Sequence, residues 1–426
     1  MPSVLALFDA YPALGERSIT LLAMNSWNDT DYRKAFAEGH NKFHHECVKV
    51  VDLFAGIGGF HYGIGAAAAM SSMGVAPVLV SEIEDSCRET YERNFKCNVE
   101  GDVNKISLSS YRNLEADIVT AGFPCQPFSN SGRKLGLKDP RGRFYDRIEE
   151  IIKHFNAKSF ILENVPGMTK NGSGRLYPSR LADEPQLIGS TMKTLEDKLG
   201  GLRDYHVRWF EVDSSHVGSP QVRKRVYIVG VRRDLASPSQ LSYQEFFPNE
   251  FLQHNFTSIV DPEADRDVEL ELSQNQAKNV RSFMKRPPAY KDGMRRVGQA
   301  YLCKGGNVGQ AYHAHGMIPT LTKIWARFLP IYFPHEKERL PNMSEKEFVP
   351  DFRYYGKGRL RRASVREAML LQGFPRDFAP HESPRLAYEH AGNAVNAKVV
   401  REIARHLLNI TGVAVGSAVC PPQSLT

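Results

Sequence analysis

Metal and disulfide chemistry find little support in this 426-residue chain. Its six cysteines stand at 47, 87, 97, 125, 303 and 420, and no two have the C-x-x-C spacing of a zinc or dithiol site. Six thiols scattered over this length are no disulfide framework, which favours a reduced, cytoplasmic setting and no metal. Long apolar runs are also missing. The weakly polar stretch from Gly63 to Val80 is broken by Ser71, Ser72, Gly74 and Pro77, so no membrane partner is expected. The opening segment MPSVLALFDAYPALGERS has no basic start and is interrupted by Asp9, which makes a poor signal peptide. There is no internal repeat and no low-complexity tract. Charge is not one-sided either: 55 Lys plus Arg against 48 Asp plus Glu leaves +7, too mild by itself to assign a polyanionic partner.

What is present is a globular composition, 42% hydrophobic and 24% charged, in a chain longer than one core usually occupies. From Val48 to about Gly230, short β-branched runs alternate with helical stretches. The runs are Val48–Phe54, Pro77–Ser81, Asp117–Thr120, Ser159–Leu162, Tyr205–Val212 and Arg225–Gly230. Between them, Phe144, Ile148, Ile151, Ile152 and Phe155 recur at helical spacing within Arg143–Asn156 and predict one buried stripe. Strands alternating with helices imply an α/β fold, a doubly wound and mostly parallel sheet covered on both faces. After Val231 the alternation stops. The region 238–360 reads as irregular and is basic in patches, with seven Lys or Arg against one Asp over Arg281–Lys304 and six against one over Asp351–Arg366. Two such patches interleaved with Tyr and Phe point to a nucleic-acid surface. Helical patterns resume at Ser364–Gln372 and Ala397–Leu408.

In an open parallel sheet, ligands bind beyond the carboxyl ends of the strands, so the residues following each strand matter most. The first run ends in Asp52-Leu-Phe-Ala-Gly-Ile-Gly-Gly-Phe60, where glycines at 56, 58 and 59 allow a tight turn and close approach to a ligand. His61 stands where a dinucleotide fingerprint needs its third glycine. The second run ends in Ser81-Glu82, placing an acid where a nucleoside cofactor offers ribose hydroxyls, and Asp102 could accept from an adenine amino group. Asp117–Thr120 runs into Ala121-Gly-Phe-Pro-Cys125-Gln-Pro-Phe-Ser129. A cysteine bracketed by prolines at a strand end reads as a nucleophile. The next strand ends in Glu163-Asn164-Val165, and Glu163 stands 38 positions after Cys125, enough for a loop, a helix and a strand that return to the same edge. Gln221-Val-Arg-Lys-Arg225 then sets a cationic cluster beside that edge.

At these residues the chain resembles the cytosine-5 DNA methyltransferases that use S-adenosylmethionine. The matching elements keep the family's order. They are Asp52–Phe60, the Pro-Cys loop Gly122–Ser129, Glu163–Val165, the Gln-x-Arg-x-Arg element Gln221–Arg225, the Arg361–Phe378 stretch with Leu-Gln-Gly-Phe-Pro, and Gly392–Val395. Together they span roughly 48–410. The resemblance implies that Phe54, Ala55, Gly56, Ile57, Gly58 and Gly59 hold the cofactor. It gives Glu82 the ribose, lets Ile83, Asp102 and Val103 frame the adenine, and adds Pro124 and Phe144 to the pocket. Asn393, Ala394 and Val395 would close it, so the C-terminal segment must return to the first domain. Cys125, Glu163 and Arg225 would be catalytic, and Gln126, Ser129, Ser131, Arg223 and Thr320, the last in Pro319-Thr320-Leu321-Thr322, would contact DNA.

The implied reaction moves a methyl group to carbon 5 of a cytosine flipped out of a specific double-stranded sequence, through a covalent cysteine adduct. It would serve restriction–modification or regulation, on a monomeric, nucleoid-associated protein with or without a separate cognate endonuclease. The expected organisation is an N-terminal extension 1–46, a catalytic and cofactor-binding domain 47–237 plus 386–412, a smaller target-recognition domain 238–385 and a tail 413–426. The extension carries four Lys or Arg against six Asp or Glu, which argues against a DNA-binding arm. Three other readings stay open at this point: a transfer-RNA methylase of the same family, a non-enzymatic DNA-binding relative, and a nicotinamide-dependent oxidoreductase. The glycine-rich stretch Gly167–Arg175 reads as a surface loop.

Overall fold

The computed structural model describes residues 47–71, 73–124, 144–172, 174–248, 254–275, 277–278, 290–291, 294–299, 310–314, 317–323, 326, 329–333 and 358–413. Its main sheet has six strands: β1 (Cys47–Leu53), β2 (Gly74–Ser81), β3 (Ile118–Ala121), β4 (Ser159–Asn164), β7 (Tyr205–Asp213) and β9 (Lys224–Arg232), in the order β2-β1-β3-β4-β9-β7. The pairs β1–β2, β1–β3 and β3–β4 are parallel, whereas β9 runs antiparallel to both β4 and β7. The sheet is therefore mostly parallel, as expected, with one reversed strand the sequence reading did not foresee. The cause is chain length. Only ten residues join Asp213 to Lys224, too few for a helical crossover, so the chain must turn back beside its predecessor.

Successive residues along the strands feed opposite cores. Phe160, Leu162, Val226 and Ile228 enter one face with α3 (Phe144–His154) and α4 (Ser190–Leu199), while Ile161, Tyr227 and Val229 enter the other with α1 (Gly59–Ala69) and α7 (Ala397–Ile410). The stripe Ile148, Ile151, Ile152 and Phe155 is buried as anticipated, joined by Tyr145, while Phe144 is half-exposed. The C-terminal helix α7 does return, and it packs on α1 so closely that a Cβ at Gly63 would lie 2.6 Å from Val400 Cβ. Asn396 caps α7, its Oδ1 accepting from the Lys398 and Val399 amides.

The region read as irregular forms a second sheet of β10 (Tyr290–Lys291), β11 (Met294–Gln299), β12 (Gln310–His313), β14 (Pro330–Phe333) and β15 (Arg359–Arg362). All its pairs are antiparallel except β12–β14. A two-stranded ribbon, β8 (Gln221–Val222) with β13 (Ile318–Pro319), ties the two sheets together. They also share a core, in which Ala55, Ile57, Tyr91 and Phe95 meet Phe256, Ile331, Met369 and Phe374. The helices α2 (Asp85–Phe95), α5 (Val365–Leu371) and α6 (Pro384–Asn393) supply much of it. The Gly167–Arg175 stretch is more ordered than a plain loop. Gly167–Lys170 makes a helical turn that buries Met168 and Thr169, followed by the hairpin β5 (Leu176–Pro178) and β6 (Leu187–Gly189). No helix among the described residues is long and apolar enough to cross a membrane.

Candidate active site

Because β9 is reversed, its first residues reach the edge where β1, β3 and β4 end. Glu163, near the end of β4, and Arg225, near the start of β9, meet there: Arg225 Nε lies 3.0 Å from Glu163 Oε1, and each side chain is 13% exposed. Arg225 also donates to the Lys224 carbonyl at 2.8 Å. The neighbouring Asn164 is buried; its Nδ2 donates to the Phe123 carbonyl at 3.2 Å and its Oδ1 accepts from the Val165 amide. The Asn164 side chain thus pins the backbone just before Pro124, which is half-buried and carries the chain into the Pro-Cys loop. Asn164 is a positioning residue missed from the sequence, where it stood only as a neighbour of Glu163. Cys125, Gln126, Ser129 and Ser131 lie outside the described residues, as do most of the first basic patch and residues 351–357 of the second. In the rest of the second, Arg359 and Arg361 pair with Asp265, Arg361 also with Glu367, and Arg366 with Asp261.

The glycine turn sits one strand further along. Phe54 adopts a left-handed backbone, φ 53°, as do Gly56 and Gly58, which curls the chain back so that the Gly58 amide donates to the Ala55 carbonyl. Glu82, buried at the end of β2, accepts from the Gly56 amide at 2.8 Å and from the Glu84 amide at 2.9 Å. The turn and the acid are therefore one unit. At Gly56 a Cβ would meet nothing within 4 Å, so this stretch of backbone is open to a ligand. At Gly59 a Cβ would stand 2.6 Å from Val395 Cγ1, which shows the closing segment lying against the turn. Phe54 meets Phe144 edge-on, with ring centroids 5.1 Å apart. Ile83 is 62% exposed beside Glu82. Asp102 spends Oδ1 on the backbone and side-chain amides of Asn104, Val103 is buried in the core, Asn393 is exposed and Ala394 half-exposed.

Beneath the turn lies a buried relay. Asp52 Oδ1 accepts from Thr120 Oγ1 at 2.8 Å, and its Oδ2 accepts from the Tyr91 hydroxyl at 3.3 Å. Tyr91 Oη in turn lies 2.8 Å from His61 Nδ1. With its own proton directed to Asp52, Tyr91 accepts the His61 Nδ1 proton. Burial pushes the Asp52 carboxyl up to about 7, since water is absent to stabilise its anion.

One expected DNA contact is corrected by the geometry. Arg223 is 2% exposed, and its guanidinium donates to the carbonyls of Leu321, Gly392 and Ala394. It is a brace between segments and presents no face to a duplex. Thr320 is half-exposed; its hydroxyl donates to the Val222 carbonyl at 2.9 Å and its oxygen is left able to accept.

Comparison with known proteins decides the family. The model of the C-5 cytosine-specific DNA methylases matches residues 48–409. The chain belongs to that family. It is 27% identical to the type II methyltransferase M.BanI of Aneurinibacillus aneurinilyticus, over 84% of this chain and 95% of that protein. It is 30% identical to the type II methyltransferase M.NgoBI of Neisseria gonorrhoeae, over 83% of this chain and 90% of that one. Among solved structures, a Spodoptera frugiperda DNMT2 variant superposes with a TM-score of 0.58 at 20% identity, covering 85% of this chain and 99% of that chain. The S. pombe Dnmt2 methyltransferase gives 0.57 at 17% identity, covering 85% and 98%. These likenesses establish the α/β methyltransferase fold. The protein is thus a DNA cytosine-5-methyltransferase, and its Glu163–Arg225 pair stands at the edge where such a fold places its chemistry.

Proposed function

We propose that this methylase transfers the methyl group of S-adenosylmethionine to carbon 5 of a cytosine extruded from a specific double-stranded DNA sequence, through a transient bond from Cys125. The observation that carries the reading is the Arg225–Glu163 pair at the strand ends, beside the Phe123 carbonyl that Asn164 holds. Carbon 5 of cytosine is a poor nucleophile. A thiolate of Cys125 adding at carbon 6 would make the ring an enamine, reactive at carbon 5. Glu163 would hydrogen-bond or protonate ring nitrogen 3, with Arg225 at the carbonyl oxygen, relieving the charge that the addition creates. Carbon 5 would then attack the sulfonium methyl, forming the new carbon–carbon bond as the sulfur–methyl bond breaks and S-adenosylhomocysteine is left. Passage of the carbon 5 proton to water and expulsion of the thiolate would restore the aromatic ring and the free enzyme. Extrusion of the base costs roughly a few kcal/mol, offset by contacts to the recognition region.

The cofactor residues fit a nucleoside ligand. The open Gly56 backbone, the buried Glu82 carboxylate, the Phe54–Phe144 aromatic pair and exposed Ile83 form one wall, and Val395 closes on Gly59. S-adenosylmethionine would supply a methyl group on a sulfonium, an electrophile needing no further activation. In this reading the catalytic unit is 47–237 plus 386–412, 238–385 reads the target, and the enzyme works as a monomer on DNA in the cytoplasm. The type II relatives favour the modification half of a restriction–modification pair, with a separate endonuclease.

The test is covalent trapping. DNA from a host expressing the gene is first mapped by bisulfite sequencing, and the site is rebuilt with 5-fluorocytosine, whose fluorine blocks loss from carbon 5. The wild type is expected to form a gel-stable adduct, and Cys125→Ala none. Equal trapping by both proteins eliminates Cys125 as the nucleophile, and an unmethylated host genome overturns the reading as a whole.

A further inference from the structure

Arg223 stands where the recognition segment meets the segment that closes on the glycine turn. Its Nη1 donates to the Leu321 carbonyl at 2.8 Å and the Gly392 carbonyl at 3.4 Å, and its Nη2 donates to Gly392 at 3.3 Å and Ala394 at 2.8 Å. One buried, rigid fork therefore fixes carbonyls from both segments at once, with charge-assisted bonds that have no water to replace them. The segments are also in direct contact. A Cβ on Gly392 would collide with the backbone of Thr322 and Lys323, and Lys323 Nζ pairs with Glu389 Oε2 at 3.2 Å. On one side the contacts continue through β13 and the Thr320 hydroxyl to Val222, and on the other through Val395 to Gly59.

We infer that Arg223 is a positioning residue that couples DNA binding at 319–323 to closure of the cofactor pocket by 392–395. The inference rests on the proposed roles of those two segments. A displacement of Leu321 by bound DNA must either carry the Gly392 and Ala394 carbonyls with it or break bonds to a buried cation. Holding Leu321 in its DNA-bound place therefore holds Val395 on the turn. Coupling of this kind is reciprocal, so cofactor binding tightens DNA by the same factor.

The experiment measures S-adenosylhomocysteine affinity by calorimetry, with and without a saturating duplex carrying the mapped site. In the wild type, DNA is expected to tighten the ligand about tenfold. In Arg223→Lys, whose compact ammonium cannot span both segments, tightening is expected to fall below about twofold, while affinity without DNA stays within about threefold. Gly392→Ala, which keeps the guanidinium but pries the segments apart, is expected to lose the coupling as well. This second variant carries the test if Arg223→Lys does not fold. No tightening in the wild type, or undiminished tightening in the variants, overturns the role of Arg223. Methylation of the same duplex is measured alongside: its absence in the wild type brings down the functional reading, whereas methylation with unaltered coupling brings down only this inference.

Discussion

Arg225 and Glu163 pair across the seam between β9 and β4, Nε to Oε1 at 3.0 Å, from strands that run in opposite directions. The reversal is what brings them together, because the start of β9 lies level with the end of β4. Asn164, paired in register with Val226, fixes the level of that edge. Replacing the acid while keeping its shape tests the chemistry. Glu163→Gln is expected to lower the single-turnover methylation rate by about 10²–10³-fold, because an amide can neither protonate the ring nor balance Arg225. Binding of the duplex should change little, since the role proposed for the pair is at the target base and not at a phosphate. An undiminished rate removes Glu163 from the mechanism.

Much of this site was legible because its residues follow strand ends, and strand ends announce themselves by the change from β-branched runs to glycine, proline or acid. The run at Ser159 ends within two residues of where β4 stops, and the turn at Gly56 lies where the sequence puts it. Arg223 was misjudged for a local reason. Residues two apart share a face only along an unbroken strand, but β8 stops at Val222 and β9 starts at Lys224, so the break turns Arg223 inward while Arg225 keeps the edge. The second sheet was hidden because its pairings join residues distant in the chain, such as Ile331 with Arg361, and short strands of that kind leave little periodicity.

The two glycines of the turn separate folding from binding. A Cβ at Gly58, φ 91°, would strike the Phe95 ring, which is itself stacked on His61 at 4.1 Å and cannot swing away. Gly58→Ala is therefore expected to lose about 1–3 kcal/mol of stability by chemical denaturation, from strain and overpacking together. At Gly56, φ 54°, the added methyl meets no protein atom. Gly56→Ala is expected to cost only about 1–2 kcal/mol of backbone strain, but to weaken S-adenosylhomocysteine binding at least about tenfold by filling ligand space. Unchanged ligand affinity in Gly56→Ala would show that the open stretch of backbone is not where the cofactor lies.

Asp52 makes stability depend on pH in a sense opposite to most carboxylates. Its carboxyl titrates near 7 in the folded protein against 3.8 for the free side chain, because burial disfavours the anion. Between those values the native state keeps a proton the unfolded chain has released, so rising pH removes stability across that window and the loss is complete above about 7. Asp52→Asn keeps the shape and has no proton to lose. Its stability relative to wild type, measured by denaturant titration, is expected to improve from pH 5 to about pH 7 and to level off above that. Parallel pH profiles for the two proteins would show that Asp52 is already ionised at the lower pH.

Asn396 does two jobs at the point where the closing segment becomes α7. Its Oδ1 accepts from the Lys398 and Val399 amides at 3.2 and 3.3 Å, and its Nδ2 donates to the Leu371 carbonyl at 3.1 Å, all within a side chain 1% exposed. Loss of the cap costs about 0.5–2 kcal/mol. The Leu371 carbonyl retains Ser219 Oγ at 3.2 Å, so its share of the penalty is smaller. Asn396→Ala is accordingly expected to destabilise the protein by about 1–3 kcal/mol in denaturant titrations. Asn396→Ser restores a cap acceptor without the Nδ2 donor and should recover most of the loss. If serine recovered none of it, the tie to Leu371, which joins the Leu-Gln-Gly-Phe-Pro element to α7, would outweigh the helix cap. Cofactor affinity would then be expected to drop in both variants, because Val395 on the glycine turn would have lost its anchor one residue away.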